Sequence, residues 1–147
     1  MEPLSLLDTI IRLGGAAILC GLIGLEREYR HKPAGLRTDM LVGIGTAAMA
    51  IASIEIVRMY PGSNADVSRI ASTILTGIGF IGAGSIIQAK GNVLGLTTAA
   101  SIWVVAAVGL TMGLGMYPVA IAATLMTLIV LIVLHKFKVP ENHSDQK

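Results

Sequence analysis

Charge is what this sequence has least of. Asp, Glu, Lys and Arg make up 14% of its 147 residues, against about 25% in soluble domains. With 54% hydrophobic residues and a mean hydropathy of +0.76, that scarcity points away from a soluble domain and toward a helical membrane protein. A chain this short has too little volume to hide four or five such helices from water. A single cysteine, Cys20, excludes a disulfide within one chain, and its apolar surroundings suit a packed thiol. The net charge of +2 is too small to argue for nucleic acid. No Gly-Lys-Ser or Gly-Lys-Thr phosphate loop occurs, and His31, His135 and His143 lack ligand spacing. No Ser, His and Asp are arranged for nucleophilic catalysis, so neither enzyme activity nor a cofactor is expected. The first residues, MEPLSLLDT, carry acids and no basic region, which argues against a secretory signal. Gly77-Ile-Gly79-Phe-Ile-Gly82 has the letters of a dinucleotide fingerprint but lies inside an apolar run with no strand context.

What is present is long apolar sequence. A helix needs about 20 mostly apolar residues to cross a bilayer, and five segments qualify. The first runs from about Leu4 to Leu25, with Asp8 and Arg12 four apart and able to pair on one face. The second covers about Met40 to Ile56 and the third Ile70 to about Ile87. Gly91 to Leu134 holds no charge and is long enough for two spans, about Leu96–Met112 and Tyr117–His135, with a turn at MGLGMYP. The expected fold is therefore an all-α, polytopic transmembrane bundle of about five spans. Residues 1–138 form the membrane domain and 139–147 a short polar tail. Arg27, Arg30, Lys32, Arg37, Lys90, Lys136, Lys138 and Lys147 fall on one side, and Arg12, Arg58 and Arg69 on the other. The positive-inside rule then places the N-terminus outside and the C-terminus in the cytoplasm.

Two stretches resemble each other. GLIGLEREYRHKPAGLRT and GFIGAGSIIQAKGNVLGLTT both open Gly-x-Ile-Gly and both close Gly-Leu-x-Thr. Two helices separate them, so a parallel repeat over about 4–60 and 67–113, followed by a fifth helix, is the expected arrangement. Thr38 and Thr98 are the expected helix caps, with Thr97 as a further option. Asp39 suits the positive end of its helix. Gly14, Gly15, Gly21 and Gly24, then Gly77, Gly79, Gly82 and Gly84, then Gly109 and Gly113, are spaced for close helix packing.

The charged residues supply the candidate sites, since a charge in or near hydrocarbon marks function by default. Asp8, Arg12, Glu55, Arg58, Asp66 and Arg69 fall at one depth and form an expected outer polar cluster. It is either a set of simple pairs or the mouth of a cation path. At the inner edge, Glu26, Glu28 and Asp39 could face Mg²⁺, which favours carboxylates and water. Arg27, Arg30, Lys32 and Arg37 crowd the same stretch and favour ion pairs, anionic lipid or a partner's acidic face. Glu26 and Arg30 are four apart and pair if the helix continues beyond the membrane. No metal site is assigned.

GLIGLEREYRHKPAGLRTDMLVGIG, RIASTILTGIGFIGAGSII and GNVLGLTTAASIWVVAAVGL resemble the MgtC/SapB family of bacterial inner-membrane proteins, over about residues 10–135. The resemblance implies a multi-pass bundle of about five helices in the inner membrane, linked to growth in low magnesium and to survival of pathogens in host cells. It also implies regulation of other membrane machinery, ATP synthase included, rather than direct transport. By position the signature falls on Glu26, Arg27, Glu28, Arg30, Gly35, Leu36, Arg37, Thr38 and Asp39 in the first loop. In the second it falls on Gly79, Gly82, Gly84, Asn92, Gly95, Leu96, Thr97, Thr98 and Trp103. Many members add a soluble C-terminal domain, whereas HKFKVPENHSDQK is expected to be a polar tail. The expected function is a small module that regulates or scaffolds membrane proteins in adaptation to low magnesium. The alternative is an oligomeric Mg²⁺ transporter or channel. Expected partners are membrane lipids and a membrane protein or further copies of the chain, with no nucleic acid.

Overall fold

The computed structural model describes residues 4–61, 66–89 and 92–134. Five helices follow in order: α1 (Leu6–Tyr29), α2 (Leu36–Met59), α3 (Val67–Gly84), α4 (Leu96–Gly113) and α5 (Tyr117–Val133). The fold is an all-α bundle, and α1 to α4 are long and apolar enough to cross a membrane. The helix at α5 is shorter, at 17 residues. A small hairpin, β1 (Ile87–Ala89) with β2 (Asn92–Leu94), joins α3 to α4, pairing Ile87 with Leu94. Two three-residue strands are too short to show a period of two, so the hairpin leaves no mark in the residue pattern.

Small residues bring the three central helices together. A methyl group placed on Gly43 of α2 would overlap the Cys20 sulfur of α1. One placed on Gly109 of α4 would overlap Thr46 Oγ1 and the Gly43 carbonyl of α2, and one on Gly113 would overlap the Ala47 carbonyl. With so little side chain between them, α1, α2 and α4 approach closely and gain dispersion contacts, which take the place of the hydrophobic drive that is missing in a bilayer. Ala16, Cys20, Ile23, Ala47, Val105, Val108 and Met112 fill the core between them, and Ala120 of α5 joins it. Cys20 is buried, as its setting suggested, and its thiol donates to the Val105 carbonyl at 3.4 Å.

Expected glycine packing fails on α3. Gly77, Gly79 and Gly84 meet nothing within 4 Å, and Gly82 makes only ordinary contact with Ala99. Helical spacing aligns such residues but does not say which face a neighbour will cover. Ile78 with Ile102 and Ala106 makes the small second core that holds α3 to α4.

The α4–α5 turn is closed by Gly115, whose φ of +79° belongs to the left-handed region. Gly115 N–H donates to the Met112 carbonyl and Met116 N–H to the Thr111 carbonyl. That pair of bonds ends α4 in a Schellman motif, where glycine carries no Cβ penalty.

Candidate functional site

The charged stretch after residue 25 is mostly helix rather than loop. The α1 helix runs through Glu26, Arg27 and Glu28 to Tyr29, and α2 starts at Leu36. Only residues 30–35 connect them. His31 N–H donates to the Glu28 carbonyl and Lys32 N–H to the Arg27 carbonyl, a second Schellman end with His31 at φ +54° where glycine is usual.

The expected threonine caps are corrected. The residue preceding α2 is Gly35, which has no side chain to cap with, and the Leu36 N–H instead donates to Glu28 Oε2 at 2.9 Å. At α4 the cap is Gly95, at φ +89°, where a methyl group would overlap the Ser85 carbonyl. Thr38 and Thr97 are exposed on the first turns of α2 and α4, and Thr98 is buried. Gly-Leu-x-Thr does start both helices at its leucine, but through the glycine.

Helix continuation forms the pair expected at Glu26 and Arg30, with Arg30 Nε donating to Glu26 Oε1 at 2.6 Å. Arg27 Nη1 lies 3.7 Å from Glu26 Oε2, close enough for attraction but too long for a hydrogen bond. Asp39 is fully buried in the first turn of α2, against Gly24 of α1, where a methyl group would approach Asp39 Cβ to 3.0 Å. Neither Asp39 oxygen has a hydrogen-bond partner among the described residues, and Arg27 is the cation that acts on it electrostatically. Arg27 is itself 4% exposed, with its Nε unpartnered. Glu26, Arg27, Arg30 and Asp39 thus form a nearly closed cluster whose formal charges sum to zero. A buried pair of this kind is costly to break, because the survivor is left as an uncompensated charge.

The acids at this end therefore point inward or cap a helix, while His31, Lys32, Arg37 and Thr38 are exposed. That sorting was not visible in the sequence, where acids and bases alternate.

At the other end the six expected residues do not form one network. The Asp8 carboxylate accepts from the Ser5 hydroxyl at 2.7 Å, and the Asp8 backbone N–H donates to Ser5 Oγ at 3.1 Å, rather than the side chain meeting Arg12. Arg12 Nη1 donates to the Gly113 carbonyl at 2.7 Å, at the negative end of α4. The expected Asp8–Arg12 pair is corrected accordingly: the tertiary carbonyl outcompetes a solvated neighbour. Arg58 Nη1 pairs with Glu55 Oε1 at 2.6 Å, and the same oxygen accepts the Leu4 N–H at 3.2 Å. Asp66 caps α3 by accepting from the Ser68 N–H and hydroxyl, which holds its carboxyl below the usual carboxylate range. Arg69 is exposed one turn on.

In the second signature, Gly79, Gly82 and Gly84 lie on α3 and Leu96, Thr97, Thr98 and Trp103 on α4, so only the hairpin is a true connection. Asn92 falls on β2. Lys90, Gly91, His135, Lys136, Lys138, His143 and Lys147 lie outside the described residues. An apolar groove of about 330 Å³ opens between α3 and α4, lined by Gly79, Gly82, Ala83, Ala99 and Trp103 among others. Among the described residues, no three His, Cys, Asp or Glu side chains come together as a metal site.

Four membrane-length helices, three of them packed closely at glycines and closed at one end by an internal charge cluster, define a polytopic helical membrane protein. Residues 13–139 match the MgtC family, and the chain belongs to it. It is 51% identical to YhiD of Escherichia coli strain K12 over 132 residues, 88% of this chain and 61% of YhiD. It is 42% identical to protein MgtC of Brucella abortus strain 2308 over 129 residues, 88% of this chain and 51% of that protein. Over 127 residues it is 42% identical to protein MgtC of Salmonella typhimurium strain LT2, 86% of this chain and 52% of that one. The chain thus spans between about half and 61% of the length of these relatives. No solved structure matches it. It is a multi-pass protein of the bacterial inner membrane, in a family associated with magnesium adaptation and virulence.

Proposed function

We propose that this chain is a membrane module that regulates or scaffolds other membrane proteins during adaptation to low magnesium. The observation that carries this reading is the closed contact of α1, α2 and α4. Gly43, Gly109 and Cys20 meet at mid-bundle with no room for an added methyl group. The buried hydroxyls of Thr46, Ser101 and Thr124 turn back to carbonyls of their own helices rather than lining a path. Among the described residues, a single copy therefore offers a cation no polar route between its two charged ends. The name borne by YhiD raises magnesium transport as the other reading, which would need a path between copies.

The exposed bases support the orientation expected from the positive-inside rule. With α5 as a fifth span, about 25 Å long at 1.5 Å per residue, the N-terminus is outside and the α1–α2 connection cytoplasmic. The glycine-started helices α2 and α4 support the parallel repeat over about 4–60 and 67–113, within a membrane domain of residues 1–138.

The cellular test measures growth in low magnesium beside the initial rate of magnesium uptake, as abundance of the chain is raised. The regulator reading expects growth to improve with uptake per cell unchanged. An uptake rate that climbs in proportion to the chain's abundance would overturn it.

A further inference from the structure

We propose that the α2 surface headed by Arg37 binds an anionic phospholipid, with the headgroup phosphate on Arg37 and Lys32 and one acyl chain lying down the helix. Three observations converge. Lys32 and Arg37 are exposed, and among the described residues neither has an acidic partner, because Glu26, Glu28 and Asp39 are engaged or buried. The connection carrying them is held in place by the Schellman bonds at His31 and Lys32 and by the Glu28 cap on Leu36, so both cations are presented at low entropic cost.

Below Arg37, successive steps of four or three residues reach Leu41, Gly45, Ala48 and Ala52, all exposed. Leu41 is 70% exposed, and a methyl group on Gly45 would meet nothing within 4 Å. The track is a cation followed by one bulky apolar residue and then a smooth strip. That pattern fits a molecule with a phosphate at one end and a flexible hydrocarbon at the other. A soluble phosphate would use the cations and leave the strip bare. A protein helix could also pack on Gly45, Ala48 and Ala52; the paired cations at the head of the strip favour lipid, and the crosslink at position 41 separates the two occupants. Tyr29, 85% exposed at the end of α1, marks the same interfacial level. The inference stands apart from the regulator reading, since lipid binding at this face neither requires nor excludes transport.

The test is native mass spectrometry of the purified full chain titrated with phosphatidylglycerol or phosphatidylcholine. The wild type should retain one phosphatidylglycerol in preference to phosphatidylcholine. Arg37→Gln and Lys32→Gln should each weaken that retention about fivefold, the equivalent of about 1 kcal/mol per basic side chain at an anionic surface. Gly45→Phe, which fills the strip without touching the charges, should weaken it too, whereas Arg69→Gln should leave it unchanged. A second readout is a photo-crosslinker at position 41 in cell membranes, which should label lipid. Equal retention of both lipids, an unaffected Arg37→Gln or Gly45→Phe, or a crosslink to protein at position 41 would overturn the proposal.

Discussion

Gly109→Ala probes the packing on which the closed bundle depends. The new Cβ would overlap Thr46 Oγ1 and the Gly43 carbonyl, and would lie 2.8 Å from Gly43 Cα. Carbon atoms rest at about 3.5–4.0 Å, so α2 and α4 must separate by on the order of 1 Å. A gap of about that size forfeits a quarter to a half of each dispersion well along the contact. The seam from Gly43 through Ala47 and Ala50 to Gly113 would share the loss. Overpacked cores lose about 1–3 kcal/mol. Alanine also gains about 1 kcal/mol over glycine in a helix interior, so the comparison needs a control. Gly45→Ala supplies it: Gly45 lies on α2, two residues from Gly43, with open space around it. Reversible unfolding in mixed micelles should find Gly109→Ala less stable than Gly45→Ala by about 1–3 kcal/mol. Equal stability of the two variants would refute the packing argument.

Other outcomes follow from the charged end and the caps. Arg27→Met should cost about 3–5 kcal/mol by stranding Asp39, and adding Asp39→Leu should restore much of it; unfolding of the single and double variants measures the coupling, and strictly additive losses would contradict a paired cluster. His31→Gly should stabilise by about 1 kcal/mol, because glycine carries no Cβ penalty at φ +54°, and a lower unfolding midpoint would count against the Schellman end. Asp66 contributes stability at neutral pH, since its folded carboxyl is held low by Ser68. That contribution should fade as pH falls through and below the ordinary carboxylate range. Asp66→Asn should show a flatter acid limb in a pH series of unfolding midpoints.

Much of this molecule was legible in the sequence because membrane helices are set by length and apolarity. The spans beginning near Leu4, Met40, Ile70 and Leu96, and the turn before Tyr117, correspond to α1 to α5 within a few residues. The Glu26–Arg30 pair was legible for a local reason, four-residue spacing on a helix. Contacts set by tertiary placement were not. Arg12 chose the Gly113 carbonyl 101 residues away over its neighbour Asp8. Gly109 and Gly113 packed against α2, whereas Gly77, Gly79 and Gly84 stayed bare on α3. The caps at Gly35 and Gly95 depend on a distant carboxylate and a left-handed φ, which letters alone do not disclose. Burial of Asp39 beside Arg27 was equally hidden, since helical spacing gives a face but not what covers it.

The central claim is that the chain regulates or scaffolds other membrane proteins and does not itself carry magnesium. The most direct measurement is magnesium entry into liposomes holding the purified chain and a magnesium-sensitive dye, with wild type beside Glu26→Gln and Asp39→Asn. The account predicts that wild-type vesicles fill no faster than protein-free ones, and that neither substitution changes the rate. Entry that rises with protein content and falls when either acid is neutralised would contradict it.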